Sequence, residues 1–400
     1  MNQGNQGIWQ DTELGRMLTF QRGFDITKNQ FKDGQYPVVF SSGIGGNHHE
    51  FKVKGPGVVI GRKGSLGTTF YIEKDFWPTD TTLWIKDFHG NDEKFAYYFL
   101  QTLHLEKYDC GSSNPTLNRN HIHTIPVKYP PLPIQRKIAD ILSAYDELIE
   151  NNTRQIKILE EMAALIYREW FVNFRFPGHE QVKMVDSQLG CIPEGWEVKH
   201  LPAMCSKVID GTHDSPKSVE EGYYLVTGKH ITNGFIDFSK CYFISPEEHQ
   251  KVMKRSRPEK GDILFSNIGT LGSTVLVDQD FEFSIKNIAL FKPKQIIYSG
   301  FLYLFFSSKE IFEILNKAAS GTSQKFFSLK FLRDFKLVEP PDSLIIKFDN
   351  IIRPILTQRS LIHQENQNLR KTRDLLLPKL ISGEIDLETL NTPEIELWAA

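Results

Sequence analysis

The sequence is short of the features on which a zinc site, a disulfide framework, a membrane span or a catalytic centre would be built. Its four cysteines, Cys110, Cys191, Cys205 and Cys241, form no CxxC pair and keep no repeat-matched spacing, so neither zinc nor a disulfide framework is expected. They read as free thiols. No stretch approaches the roughly 18 apolar residues of a membrane helix, and the amino-terminal MNQGNQGIWQDTELG has neither the basic start nor the apolar core of a secretory signal. A cytoplasmic protein with no membrane partner is expected. An excess of one charge is missing too: 47 Lys and Arg against 49 Asp and Glu give a net charge of −2. That excludes a general polycation and confines any nucleic-acid contact to local basic patches.

Catalytic motifs are equally scarce. A methyltransferase needs a glycine-rich cofactor loop after a strand and an Asn/Asp-Pro-Pro-aromatic loop. Gly43-Ile44-Gly45-Gly46 is a lone glycine cluster, and Asn114-Pro115-Thr116-Leu117 lacks the second proline and the aromatic. Asp334-Phe335-Lys336 resembles half of a nuclease's carboxylate–lysine pair, but no acidic partner stands at a matching position upstream. His48-His49 and His121-x-His123 have no Asp, Glu or Cys companions at ligand spacing and read as surface histidines. No catalytic residue and no metal site is expected.

Glycine and proline are themselves absent from Ile134 to Phe176, and this is where the chain organises itself. Apolar residues recur there in steps of four and three, at Ile138, Leu142, Tyr145, Ile149, Ile156, Leu159, Ala163, Ile166 and Trp170, with Asn152 in one seam position. A shift of 210 residues finds the same spacing at Phe348, Ile352, Ile355, Arg359, Ile362, Asn366, Leu369, Arg373, Leu376 and Leu380. Each is a coiled-coil seam, and about forty residues at ~1.5 Å each make a rod of roughly 60 Å. One long helix folded back on a single core is the plainer alternative. Pro354 predicts a kink in the second rod or the start of its regular part, and Gly383 a carboxy-terminal cap.

Before each rod lies a segment of short strands and one amphipathic helix. The first has strand patterns at 36–43, 57–62, 68–76 and 81–85 and a helix at 93–105; the second has strands at 223–228, 261–269, 273–281 and 287–293 and a helix at 300–320. Residues match as well as order. Gly64-Ser65-Leu66-Gly67 meets Gly269-Thr270-Leu271-Gly272 at a shift of 205, and IHTIPVKYPP at 122–131 meets LRDFKLVEPP at 332–341 at a shift of 210. The chain is a duplicated domain-plus-helix, a mixed α/β (α+β) protein. Its expected parts are a first domain at 1–132, a helix at 133–176, a connector at 177–197, a second domain at 198–341, a helix at 342–384 and a tail at 385–400. Antiparallel pairing of the helices would put the domains at opposite ends, related by a pseudo-twofold axis; parallel pairing would put both at one end.

Polar loops carry the candidate contacts. In VVIGRKGSLGTT and ILFSNIGTLGST, two glycines three residues apart let backbone N–H groups approach a phosphate, with Arg62, Lys63, Ser65, Thr68, Asn267 and Thr270 in or beside the loop. A plain hairpin turn is the alternative. Thr212, His213, Ser215 and Lys217 sit in the DGTHDSPK loop, suited to base edges or simply a surface turn. Ser112, Ser113, Asn118 and Arg119 precede the first rod, and Thr322, Ser323, Gln324 and Lys325 hold the corresponding place before the second. Lys254 and Arg255 belong to KVMKRSRPEK at 251–260, with five basic residues in ten positions, either a solvated face or a phosphate contact. Asn152, Arg359, Asn366 and Arg373 are polar where a zipper would be apolar. They select register or are covered by other subunits, in which case Tyr145, Ile156, Leu159 and Leu369 share that interface.

Taken together, the paired domains, the entry at Gly190–Leu201, the loop at 210–217, and the PPLPIQRKIADIL and LLLPKLISGEI segments resemble the specificity subunits of type I restriction-modification systems. The resemblance spans almost the whole chain and implies a noncatalytic reader of double-stranded DNA. Each target-recognition domain would read one half of a bipartite, asymmetric target, and the helices would set the spacer. It further implies two modification subunits that methylate adenine with S-adenosylmethionine, and restriction subunits that use ATP and Mg. This chain itself would bind no cofactor. The polar start Met1–Gln10 and Pro354 depart from the pattern. The competing readings are a self-contained DNA-modifying enzyme, against which the missing cofactor loop argues, and a coiled-coil scaffold, which leaves the twin domains unexplained.

Overall fold

The structure is a computed structural model describing residues 9–111, 115–317 and 326–387. The chain divides into two compact units, Met1–Asn152 together with Glu365–Ala400, and Thr153–Gln364.

In the first unit the strands are β1 (Gln10–Glu13), β2 (Thr19–Arg22), β3 (Tyr36–Phe40), β4 (Gly43–His48), β5 (Gly57–Gly61), β6 (Thr69–Ile72), β7 (Trp77–Pro78), β8 (Thr82–Asp87) and β9 (Pro126–Tyr129). They form sheets of order β2-β8-β5-β6 and β4-β3-β7, with β1 paired to β9. The run GVVIG is apolar on both faces, and so β5 lies inside its sheet and is buried along its whole length. The helix Glu93–Thr102 begins where Asp92 accepts the Phe95 N–H, and it packs on β5 and β6.

The second unit has β10 (Met184–Ser187), β11 (Gly190–Pro193), β12 (Glu197–His200), β13 (Cys205–Asp210), β14 (Tyr223–Thr227), β15 (Ile231–Thr232), β16 (Phe235–Ile236), β17 (Tyr242–Ile244), β18 (Ile263–Phe265), β19 (Thr274–Leu276), β20 (Ser284–Lys286), β21 (Ala289–Pro293) and β22 (Lys336–Glu339). Its sheets run β13-β21-β18-β19 and β17-β14-β20, and β12 pairs with β22. This is the topology of the first unit strand for strand, down to one parallel pair in each three-stranded sheet, β3–β7 and β14–β20. Three elements are added: the β10–β11 pair, the hairpin β15–β16 in the link from β14 to β17, where β3 and β4 are joined only by Ser41 and Ser42, and the helix Pro246–Arg255 between β17 and β18. The expected helix at 300–320 is two helices, Ser299–Ser307 and Lys309–Lys317, interrupted at Ser308. The first, SGFLYLFFS, is apolar all round and lies inside the core on β18 and β19.

The two long helices span Leu132–Tyr167, extended by a wider π turn at Arg168–Val172, and Asp342–Ser382. The second is helical for twelve residues before Pro354, so that proline does not mark where the regular part begins. Gly383, at φ +74°, closes it in the left-handed conformation that glycine adopts without strain, and the Ile385 N–H donates to the Lys379 carbonyl. Every seam position is buried or half-buried. In the first unit Arg373 meets Asp146 and the Asn366 amide donates to the Ile149 carbonyl at 3.3 Å; in the second Arg359 meets Glu160 at 2.7 Å and Phe348 meets Tyr167. Within each unit the paired numbers run in opposite order along the two helices.

Each domain shares its core with the helices. Phe20, Phe95 and Ile122 pack in one cluster with Ile138, Leu142 and Leu380. Phe171 meets Phe301 and Phe348 edge-on at 4.8 and 4.7 Å, with Trp196 beside them. Each such side chain is worth about 1.5–3 kcal/mol on burial. No helix among the described residues is long and apolar enough to cross a membrane, and the four cysteines are free.

Candidate nucleic-acid interface

The glycine loops have one geometry. In the first unit Gly64 and Gly67 lie at φ +76° and +72°, the Gly67 N–H donates to the Gly61 carbonyl at 2.9 Å, and the Gly61 N–H to Thr68 at 2.8 Å. In the second, Gly269 and Gly272 lie at +79° and +84°, with the same bonds from Gly272 to Ser266 and from Ser266 to Ser273, again at 2.9 and 2.8 Å. Positive φ at both places is what glycine supplies. Each loop is pinned by a later segment. Leu117 donates to the Arg62 carbonyl and Phe327 to the Asn267 carbonyl, both at 2.9 Å, so Arg62 and Asn267 are structural equivalents.

Their side chains differ. Arg62 donates to the Asp80 carbonyl at 3.3 Å, and Lys63 reaches the Asp80 carboxylate at 3.4 Å, with Ser65 and Thr68 exposed alongside. Asn267 is 3% exposed, and its amide donates to the Phe327 carbonyl at 3.0 Å. It is therefore a buried clasp, a correction to its expected place at the DNA surface; Thr270, on the same loop, is exposed.

A second matched pair of turns follows β2 and β13. Arg22-Gly23-Phe24-Asp25 and Asp210-Gly211-Thr212-His213 each close with a side-chain contact three residues apart, the Arg22–Asp25 ion pair at 2.8 Å and His213 Nε2 to Asp210 Oδ2 at 2.7 Å, with the carboxylate at opposite ends of the two turns. A Cβ on Gly23 would meet the Thr79 carbonyl at 2.1 Å and one on Gly211 the Ile285 carbonyl at 2.2 Å, so both glycines are required by close backbone approach. In the first unit Arg22 also reaches Asp80 at 3.6 Å. In the second, the other His213 ring nitrogen lies 2.8 Å from Asn287 Oδ1, Arg255 donates to both the carboxylate and the carbonyl of Asp210, and Lys286 donates to Ser215 at 2.7 Å. Thr212 is buried, its N–H donating to the Ile285 carbonyl and its hydroxyl accepting from the Asp214 N–H, which corrects its expected place among the DNA contacts; Lys217 is exposed. Arg22, Asp25, Asp80, Lys286 and Asn287 were not among the expected contacts. The glycine shared by RGFD and DGTH is the one sequence signal that could have pointed to the first two.

The basic run at 251–260 is largely neutralised. Lys254 and Arg255 end the helix Pro246–Arg255, which Ser245 caps. Lys251 pairs with Glu248, Arg255 with Asp210, Arg257 with Glu282 at 2.7 Å and Lys260 with Asp280 at 2.9 Å. Asn118 caps the helix Arg119–His123 by accepting the Asn120 N–H, leaving Arg119 exposed. Beside it Asp109 accepts the Thr116 and Gly111 N–H groups, which hold its carboxyl below the usual range. Ser112, Ser113, Thr322, Ser323, Gln324 and Lys325 lie outside the described residues. Among the described residues no three His, Cys, Asp or Glu side chains stand together to hold a metal.

Of the polar seam residues, Arg359 and Arg373 pair with carboxylates of this chain and the Asn366 amide donates to the Ile149 carbonyl, whereas Asn152 Nδ2 is buried without a hydrogen-bond partner among the described residues. Tyr145, Asn152, Arg359 and Asn366 are buried within this chain, which corrects the expectation that they face other subunits; Ile156, Leu159, Leu369 and Arg373 are half-buried. The large apolar residues that do face outward on the first long helix are Leu148, Ile158, Met162, Leu165 and, on the π turn, Val172, the last four in steps of four, three and seven.

The sequence model described as the type I restriction modification DNA specificity domain matches this chain twice, over residues 7–161 and 193–368. The type I restriction enzyme MjaIX specificity subunit of Methanocaldococcus jannaschii is 26% identical over 312 residues, covering 75% of this chain and 71% of that protein. A putative type I restriction enzyme specificity subunit of Haemophilus influenzae is 23% identical over 359 residues, covering 86% and 88%. In fold, the chain is similar to the S subunit of a type I restriction-modification system from M. genitalium, at a TM-score of 0.63 and 19% identity, over 94% of this chain and 97% of that one.

Proposed function

The chain belongs to the type I restriction-modification DNA specificity family, and from that membership we propose that it is the noncatalytic DNA-recognition subunit of such a system, reading a bipartite target with one half per domain. The observation that carries this is duplication: the family pattern falls on two halves that share topology, glycine-loop geometry and the β2 and β13 turns. Different side chains on the same frame, Arg62 against Asn267 and Arg22–Asp25 against Asp210–His213, mean different half-sites. The recognition domains are taken as 1–132 and 198–341, the helices as 133–176 and 342–384, with 177–197 as connector. The opposite order of contacts in each unit supports an antiparallel coiled coil with pseudo-twofold related domains. Helices of about 54 and 61 Å exceed the roughly 34 Å between half-sites one DNA turn apart.

The DNA contacts of this reading are the half-buried Arg62 and Lys63 and the exposed Ser65, Thr68, Asn118, Arg119, His213, Ser215, Lys217, Lys254, Arg255 and Thr270. Two modification subunits dock on the helices, the stripe Ile158, Met162, Leu165 and Val172 forming part of that face. They bring S-adenosylmethionine, and restriction subunits bring ATP and Mg, in the cytoplasm.

Methylated adenines are mapped across the genome of a methylation-free host carrying this chain alone, the neighbouring modification gene alone, or both. A two-part motif that appears only with both is the expected result. Methylation from this chain alone would make it a self-contained enzyme, and silence in all three hosts would leave a scaffold.

A further inference from the structure

The hairpin that the second unit adds to the shared topology ends on the second long helix. β15 and β16 pair Ile231 with Ile236 and Thr232 with Phe235, leaving Asn233 and Gly234 as a two-residue turn at φ +51° and +72°. Both turn carbonyls accept from Arg359 Nη2, at 3.2 and 3.1 Å. The same guanidinium donates through Nε to Glu160 at 2.7 Å and lies 3.7 Å over the Phe235 ring and 5.7 Å from that of Tyr303. One turn further along the helix, His363 stacks on Phe235 at 3.6 Å and 4°. Ser360, next to Arg359, bonds Asp278 in the loop after β19.

This explains a charge in a seam. Arg359 is 4% exposed where the matched position of the first helix is Ile149, and a buried guanidinium is retained only with partners on several sides. Here the partners come from three elements: the first long helix, the hairpin turn, and the core helix bearing Tyr303. Glycine suits the turn at φ +72°, and a Cβ on Gly234 would meet Arg359 Nη2 at 2.4 Å and displace the guanidinium.

We propose that hairpin 231–236 is a strut which, through Arg359, fixes the orientation of the second recognition domain on the long helices and so decides which half-site spacing the chain accepts. This rests on the reading of the chain as a two-half-site DNA reader. Adding or removing one base pair shifts a half-site by about 3.4 Å and turns it by about 35°, so a domain held at one angle rejects the altered spacer and a loosened one tolerates it.

The test uses the chain in complex with its modification subunits and S-adenosylmethionine, on duplexes that hold the two mapped half-sites fixed and vary the spacer. Arg359→Lys keeps the charge beside Glu160 but loses the planar fork and the stack. Phe235→Leu keeps apolar burial and the hairpin, and serves should the first variant fold poorly. For each variant the preference for the native spacer over one base pair longer or shorter is expected to fall about ten-fold, about 1.4 kcal/mol, with both half-site sequences unchanged. An unchanged spacer preference in a variant that melts lower would reduce the hairpin to a stabilising contact and overturn the proposal. A changed second half-site, or loss of methylation at every spacer, would overturn it as well, the first by making these residues base readers. If the unaltered chain directs no bipartite methylation, the reading as a DNA reader is what fails.

Discussion

The first recognition domain is tied to both long helices by a single carboxylate, and removing it has a calculable cost. Tyr98, on the helix Glu93–Thr102, donates to Asp146 Oδ2 at 2.6 Å; Arg373 donates to Asp146 Oδ1 and holds Asp374 at 2.8 Å. Tyr98 is 3% exposed, and its pKa is raised by burial and then by Asp146, so the hydroxyl stays protonated and donating. Tyr98→Phe removes one hydrogen bond to a charged group and leaves Asp146 with Arg373 and solvent, for a loss of about 1–1.5 kcal/mol. Asp146→Asn weakens both bonds at once. A fully buried ion pair broken on one side costs ~3–5 kcal/mol. With the two side chains 30% and 27% exposed and Arg373 still on Asp374, the cost here should be about 2–3 kcal/mol. Because the tyrosine bond is already weakened in Asp146→Asn, the double variant should cost less than the sum, with a coupling of about 1 kcal/mol. Hydrogen exchange on the peptide covering residues 93–102, measured across a urea series, reads the local opening free energy in each variant. A coupling within about 0.5 kcal/mol of zero would mean that the triad does not hold the domain to the helices.

Two further outcomes follow from single residues. Asn267→Ala should cost about 1–3 kcal/mol by stranding the buried Phe327 carbonyl while leaving the methylated motif unchanged, and a changed second half-site would make Asn267 a base reader after all. His123 accepts the Phe20 N–H at 3.0 Å, and burial, then Arg119, lower its pKa from the ordinary 6.5. The unfolded chain then takes up the proton first, so its contribution is present above 6.5 and is lost as pH falls through 6.5 toward the folded value. Hydrogen exchange in peptides of the first unit should show opening that becomes easier below that pH and a shallower dependence in His123→Gln. An equal slope in the variant would exclude His123 as the titrating group.

The elements most legible in the sequence were those that one continuous apolar pattern decides. VVIG at 58–61 and ILF at 263–265 became strands because nothing but burial suits them, and the four-and-three spacing of the long helices survived intact. Short polar strands were illegible. QDTE at 10–13 is a strand because Pro126–Tyr129 pairs with it, a partner more than a hundred residues away, and no local propensity carries that information. The helix at 246–255 was missed, because its basic end read as a charge run, although Ser245-Pro246-Glu247-Glu248 supplies a hydroxyl cap, a proline in the first turn and two acids. At the candidate interface, the glycine loops could be matched because both are spelled Gly-x-Leu-Gly with a hydroxyl residue at x. The turns after β2 and β13 share only one glycine, and what makes them equivalent is the backbone crossing it, which is a tertiary fact. Asn267 shows the converse: an amide beside a glycine loop looks like a base reader until burial assigns it to the core.

Pairing of the cations also bears on how a chain of net charge −2 would meet a polyanion. Around the two interfaces Arg22 is on Asp25, Lys63 on Asp80, Arg255 on Asp210, Arg257 on Glu282 and Lys260 on Asp280. Apart from Arg255–Asp210, whose carboxylate is buried, these solvent-exposed pairs are worth about 0–1 kcal/mol each, so exchanging a carboxylate for a phosphate is close to neutral, and the released carboxylate still repels the backbone. A duplex that offers only phosphates therefore gains little from this surface. A duplex that also presents the right base edges gains the additional term, since arginines freed from their carboxylates can take guanine and the carboxylates can accept from cytosine amino groups. On the proposed reading, the internal ion pairs suppress non-specific binding, and discrimination arises from what the loops reach beyond the phosphates.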